Sequence, residues 1–296
     1  MKGRYTANLL VLHAIVLVWG LTGILGKEIS LPPVPLVWWR VLIAVVTIAC
    51  IVGFSGASFR SDYRQLVRYA GVGLLTGAHW ICFFASIKYS KISVALVVLS
   101  TSAFFVSLVG PLIRRERIRW YEMWLGLIVI AGLAMIFNFE SEYTLGIVLS
   151  LFAALLAALF STLNSRLVLK SDPREIAFWE MVFALIGLTV YLFVSGEIQV
   201  VANGLSMRDF LLLLVLGVLC TGVAFIVSIR VMRVLSPFTC ALAINLEPVY
   251  TIIIALFLYG ESEYMSPPFY LGAAIILSTL FIDAYLKRKR MRKAAQ

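Results

Sequence analysis

The chain has 296 residues, 62% of them hydrophobic and only 14% charged, with a formal net charge of +10. So small a charged fraction, against roughly 25% in soluble domains, excludes a water-soluble globular protein. The basic residues lie in short connections and at the C-terminus and not on one folded face, which argues against a nucleic-acid partner and for a polytopic membrane protein.

The predicted elements are ten apolar runs, at approximately 7–26, 35–54, 69–87, 92–113, 121–139, 144–163, 176–194, 210–229, 237–259 and 269–286. Runs of about 20 residues are long enough to cross a hydrocarbon core of about 30 Å as helices. The fold expected is therefore all-α, with ten transmembrane helices. The first run lacks a small-residue cleavage site and is followed by nine more, so it is not read as a signal peptide. "ISLPPVPL" at 29–36 and "ESEYMSPP" at 261–268 are prolyl turns, and "SDPRE" at 171–175 carries the signals of a helix start.

Ten spans place both termini on one side, and the charges choose the side. With the termini inside, 20 basic residues fall on the cytoplasmic face, including six in 287–293. Four, Lys27, Lys88, Lys91 and Arg208, fall outside, and Arg40 lies within a span. This asymmetry satisfies the positive-inside rule and predicts a plasma-membrane protein with cytoplasmic termini. The tail "KRKRMRK" reads as an orientation anchor, or as a contact for membrane lipid head groups.

The chain also repeats weakly. An offset of 140 sets "LVWWRV" (36–41) against the segment around "AFWEMV" (177–182), pairing Trp39 with Trp179 and Arg40 with Glu180. An offset of 145 sets 86–116 against 231–261, pairing Lys88 with Arg233, Ala103 with Pro248 and Glu116 with Glu261. Five spans per half is an odd number, so the second half, 140–296, must lie inverted relative to the first, 1–139. Such inverted repeats are the architecture of many secondary transporters.

Charged and polar residues inside the spans are the candidates for function. Arg40 lies about five positions into its span, roughly 7 Å below the outer boundary at the helical rise. It could snorkel to the interface, helped by Trp38 and Trp39, and is either a helix anchor with an interhelical hydrogen bond or a binding group for an anionic solute. Glu247 lies about 15 Å deep, near mid-bilayer, where a carboxylate is costly unless protonated, paired or hydrated. It either holds a neighbouring helix or forms a solute or proton site. Pro248 frees a carbonyl and marks a hinge, and Asn245 adds a donor and an acceptor beside it. His79, at a comparable depth, bonds across helices or senses protons. Trp80 and "STS" at 100–102, with Thr101 at its centre, occupy mid-span positions that suit a polar path.

Other chemistries lack their residues. The four cysteines, Cys50, Cys82, Cys220 and Cys240, lie in apolar runs, without the spacing of a disulfide framework or a zinc site. Two histidines and scattered acids make no catalytic cluster, so an enzyme is not expected, and neither is a metal or other cofactor. No phosphate-cradling loop is present to drive transport with ATP. A passive facilitator would share the polar cavity of a transporter and stays open as the alternative.

Taken together, "VWGLTGILGK" (18–27), "WWR" (38–40), "GAHWICFFASIKYS" (77–90) and "NLEPVY" (245–250) resemble the drug/metabolite transporter superfamily, in its bacterial, Bacteroidota-like EamA-type branch. The resemblance covers nearly the whole chain. It implies secondary transport of small organic solutes, often export, in a bacterial inner membrane. It also implies a central cavity with His79, Trp80, Thr101, Asn245 and Glu247 as candidates. Ala103 departs from the usual pattern, which has a proline there to match Pro248, so the two halves are expected to hinge differently. Members carry amino acids, nucleosides, sugar phosphates and drugs, so neither the solute nor the oligomeric state follows.

Overall fold

The computed structural model describes residues 2–56, 59–117, 120–139 and 141–293, and the described chain is helical with no strand. The principal helices are α1 (Lys2–Glu28), α2 (Pro33–Ser55), α3 (Tyr63–Lys88), α4 (Ile92–Arg114) and α5 (Trp120–Phe139). In the second half they are α6 (Thr144–Leu167), α7 (Pro173–Ser195), α8 (Met207–Val231), α9 (Pro237–Glu263) and α10 (Pro267–Lys293). A short helix, Ile198–Ala202, joins α7 to α8.

Eight of these helices are long and apolar enough to cross a membrane, where the sequence runs predicted ten. The apolar parts of α5 and α10 are shorter, Trp120–Ile136 and Pro267–Thr279. Both stretches are bounded by the described side chains, since those of residues 137 and 280 lie outside them. The side chains of Lys2, Arg119 and 287–293, which the orientation argument used, lie outside the described residues.

Local chemistry sets the boundaries. The Asp62 carboxylate accepts from Gln65 N at 2.7 Å while the Gln65 side chain accepts from Asp62 N at 3.0 Å, a reciprocal cap on α3. The Asp172 carboxylate accepts from Arg174 N at 2.8 Å to cap α7, and the Arg174 guanidinium bonded to it holds its acid below the usual range. Gly56 and Gly196, both left-handed at φ 65° and 76°, close α2 and α7.

The helix pairings repeat when each helix is exchanged for the one five places along the chain. α3 packs on α6 as α1 packs on α8; α3 packs on α7 as α2 packs on α8; α4 packs on α6 as α1 packs on α9. The pairs α2–α7, α4–α9 and α5–α10 map onto themselves. At the α5–α10 crossing a Cβ on Gly132 would lie 2.7 Å from the Gly272 carbonyl oxygen, and one on Gly272 would lie 2.7 Å from the Gly132 carbonyl oxygen. Lipid tails are as apolar as leucine, so close backbone contact of this kind is what holds membrane helices together.

Both halves break the same helix at the same register. The α-helical path of α4 is interrupted at Ser100 and Thr101, and that of α9 at Asn245 and Leu246, 145 positions on. The left-handed residues Arg115 (φ 55°) and Gly260 (φ 53°) keep the same spacing. The break thus occurs in both halves although Ala103 stands where the second half has Pro248. Pro248 sits at the start of the segment Glu247–Tyr259, where its missing N–H costs little, and α4 breaks without a proline. There the Ser100 and Thr101 hydroxyls donate to the Leu96 and Val98 carbonyls at 3.2 and 2.8 Å and compete with the helical ladder.

Candidate functional site

A cavity of about 100 Å³ lies between the halves, lined from α1, α2, α3, α4, α6, α8 and α9. Its wall is mostly apolar and aromatic, with Trp19, Trp80, Phe83, Phe160 and Phe225 as the large faces. Arg40, His79 and Glu247 are its titratable polar groups, and Thr22, Ser102, Ser161 and Ser228 supply hydroxyls.

Arg40 is 2% exposed, and its guanidinium lies 4.2 Å from the centre of the Trp80 ring and 5.3 Å from that of Phe84. Its Nε donates to Thr221 Oγ1 at 2.6 Å, while its Nη1 has no partner. Snorkelling is therefore corrected, while the interhelical hydrogen bond expected of an anchor is present: two aromatic faces and a hydroxyl from other helices hold the charge inside. Thr221 reaches this position because Val215–Val223 is wound as a π-helix, in which the Thr221 hydroxyl donates to Leu216 O at 2.7 Å. The same widened turn offers the Cys220 carbonyl to Trp19 Nε1 at 3.0 Å. π-Helical winding within an α-helix is frequent at functional sites.

Glu247 starts the second segment of α9, is 6% exposed, and borders the same cavity close enough to Arg40 for each to feel the other's charge. His79 Nδ1 lies 2.8 Å from the Ala153 carbonyl oxygen. That acceptor requires the proton on Nδ1, which leaves Nε2 as the atom able to accept. Phe83 and Phe160 flank the ring. His79 thus both bonds across helices, from α3 to α6, and borders the cavity.

Of the residues singled out in the sequence, Arg40, His79, Trp80 and Glu247 come together here, and Asn245, Thr101 and Pro248 do not line the wall. Asn245 lies in the break of α9, 1% exposed, with neither amide atom bonded, and Thr101 is turned to its own helix. Sequence reasoning missed Trp19, Phe160, Phe225, Ser161, Ser228 and Cys220. They are neutral residues in apolar runs, and only the tryptophan stood out by type. The four cysteines are free. Among the described residues no cluster of metal-ligating side chains occurs.

One end of the bundle is tied shut, the end where α1, α3 and α9 finish. Lys27 Nζ pairs with Glu263 Oε1 at 2.8 Å and lies 3.9 Å from the Tyr259 ring centre. The second oxygen of Glu263, a residue 1% exposed, accepts from Ser93 Oγ at 3.2 Å on α4. Glu28 pairs with Arg208 of α8 and accepts from the Tyr259 hydroxyl at 2.8 Å. At the opposite end Arg166 donates to the Ile113 carbonyl at 2.6 Å, and Glu175 of α7 accepts from Ser61 Oγ at 2.5 Å and from the Tyr69 hydroxyl at 3.3 Å. Each half also carries one helix-end clamp: Lys88 donates to Ile29 O at 2.6 Å, and Arg233, 145 positions on, donates to Val168 O at 3.1 Å.

Comparison with known proteins agrees with this architecture. An uncharacterized transporter of Clostridium kluyveri is 22% identical over 218 residues, 71% of this chain and 70% of that protein. One of Bacillus subtilis is 22% identical over 261 residues, 86% of this chain and 82% of its own length. A solved crystal structure superposes with a TM-score of 0.71 over 96% of this chain and 97% of that one, at 17% identity, and so shares the fold. The model of the EamA-like transporter family matches twice, at residues 6–138 and 144–283, once for each set of five helices. The chain is therefore a multi-pass membrane protein of the EamA-like transporter family, a transporter and not an enzyme.

Proposed function

We propose that the protein is a secondary active exporter of small organic solutes, working by alternating access between two inverted five-helix repeats, 1–139 and 140–296. The observation that carries the reading is the mid-bundle cavity, which places Arg40 and Glu247 on one aromatic wall. A cation stacked on Trp80 with an unused Nη1 suits a carboxylate, and Glu247 suits an ammonium group. The solute favoured is a small zwitterion with an apolar or aromatic body, held with its charged end between these two side chains.

In this reading all ten helices span a bacterial inner membrane with both termini in the cytoplasm. The ion pairs Lys27–Glu263 and Glu28–Arg208 then close the outer side, and the cavity, continued by Ser228, Met232 and Cys240, leads toward the cytoplasm. Proton exchange at Glu247 drives the return, because a buried carboxylate relieved of solute gains by taking up a proton. A panel of aromatic and aliphatic amino acids, offered to proteoliposomes under an imposed pH gradient, tests the function. Accumulation above the equilibrium level supports active exchange. Flux that only dissipates a gradient identifies a passive facilitator instead.

A further inference from the structure

Glu180 is a carboxylate buried midway among the helices that the cavity does not include. It stands at the α7 position equivalent to Arg40 on α2 and is fully buried. One carboxylate oxygen, Oε2, accepts from Asn164 Nδ2 of α6 at 3.1 Å. The other oxygen, Oε1, and the Asn164 Oδ1 are both buried, and neither has a hydrogen-bond partner. Two buried acceptors of this bonded pair therefore lack a donor. Among the described residues no lysine, arginine or histidine pairs with Glu180, and α2 and α8, which also pack on α7, bring it no charge. The titratable groups on its other sides are Tyr69 of α3 and, through the Tyr69 hydroxyl at 3.3 Å, Glu175 near the start of α7.

An unpaired carboxylate in such surroundings is costly, whereas its acid form supplies the donor that is missing. A carboxylic acid and a primary amide can exchange two hydrogen bonds face to face, N–H to one oxygen and O–H to the other. A metal ion is disfavoured by the donor set, since the NH₂ of Asn164 already turns one oxygen away and few further oxygens are offered.

We propose that Glu180 is a proton-binding site, occupied at neutral pH, in which an O–H on Oε1 is held by the Asn164 amide. On binding, one O–H bond forms and the side chain passes from anion to neutral acid. Glu175, whose carboxylate also accepts from Ser61 Oγ at 2.5 Å, and Tyr69 lie between this site and the start of α7, the side from which a proton would enter. Asn164 stands one turn along α6 from Phe160 and Ser161 of the cavity wall, so the site adjoins the solute path without opening into it. A role for this proton in driving transport rests on the transporter reading, but its presence does not.

Infrared spectra of the purified full-length protein in lipid nanodiscs, recorded in H₂O and D₂O at neutral pH, read the acid directly. The expected result is a deuterium-sensitive carbonyl band of a protonated carboxyl, lost in Glu180→Gln and still present in Glu247→Gln. No such band in the wild type, or an unchanged one in E180Q, overturns the proposal. Where E180Q does not fold, Asn164→Leu reads the same group: the band shifts as its hydrogen bond is removed, and an unmoved band overturns the proposal. These spectra stand whether or not E247Q still transports, so failure of the coupling role and failure of this site are told apart.

Discussion

A single guanidinium shows how far one residue can be read from its neighbours in sequence. Arg40 stood out because it interrupts an apolar run, but the helical rise gives the depth of a backbone and not the direction of a side chain. Its direction is set by Trp80 and Thr221, 40 and 181 residues away. Arg40→Gln should therefore insert and fold yet weaken binding of a carboxylate-bearing solute about ten- to hundred-fold, the loss of a charge-assisted contact of about 1.5–3 kcal/mol. Arg40→Lys should recover only part of this, because an ammonium lacks the planar face that lies on Trp80. Isothermal titration of the purified variants with the amino acid that the uptake panel selects measures both, and equal affinity in R40Q would remove Arg40 from the site. Glu247 was legible for the same reason as Arg40, a charge at mid-span. Phe160, Phe225 and Ser228 gave no such signal, since a cavity wall and a lipid-facing surface use the same neutral residues. Glu247→Gln should lose transport driven by a pH gradient, with less damage to solute counterflow. Full gradient-driven transport by E247Q would exclude the coupling role.

Among the helices, the features that the fold depends on are contacts and breaks that repeat between halves. The run lengths and the prolyl turns were legible because they are local. The break in α4 was not, because Ser100 and Thr101 are ordinary mid-span residues whose hydroxyls happen to bond their own helix. The α5–α10 crossing was also hidden, since a glycine in an apolar run does not announce the backbone it touches. Each glycine there meets the other's carbonyl at a distance no Cβ could occupy. Gly132→Val should cost about 1–3 kcal/mol by forcing the two helices apart. A lowered melting temperature in detergent, repeated by Gly272→Val, checks this, and wild-type stability in both variants would contradict the contact.

At the scale of the molecule, the sequence offsets of 140 and 145 anticipated a relation that reappears as matched helix pairings, matched breaks and a family match to each half. Identity between the halves is weak because packing preserves size and backbone approach at most positions, not residue type. The 20 to 4 division of basic residues predicts the orientation: cysteines introduced at Ser61 and Ser171 should label from the inside, and one at Ser262 from the outside. Labelling of all three from one face would overturn it. The tied end makes the central claim testable without a solute, because the Lys27–Glu263 and Glu28–Arg208 ion pairs join α1 to α9 and to α8 there. Spin labels at Met207 and Ser262 report the tied end, and labels at Val67 and Arg117, their counterparts in the first half, report the opposite one. Glu263→Gln releases Lys27 from its ion pair and unties α9 from α1. Alternating access predicts that in E263Q the Met207–Ser262 distance lengthens while the Val67–Arg117 distance shortens. Lengthening at both ends, or at one with the other unmoved, would contradict it.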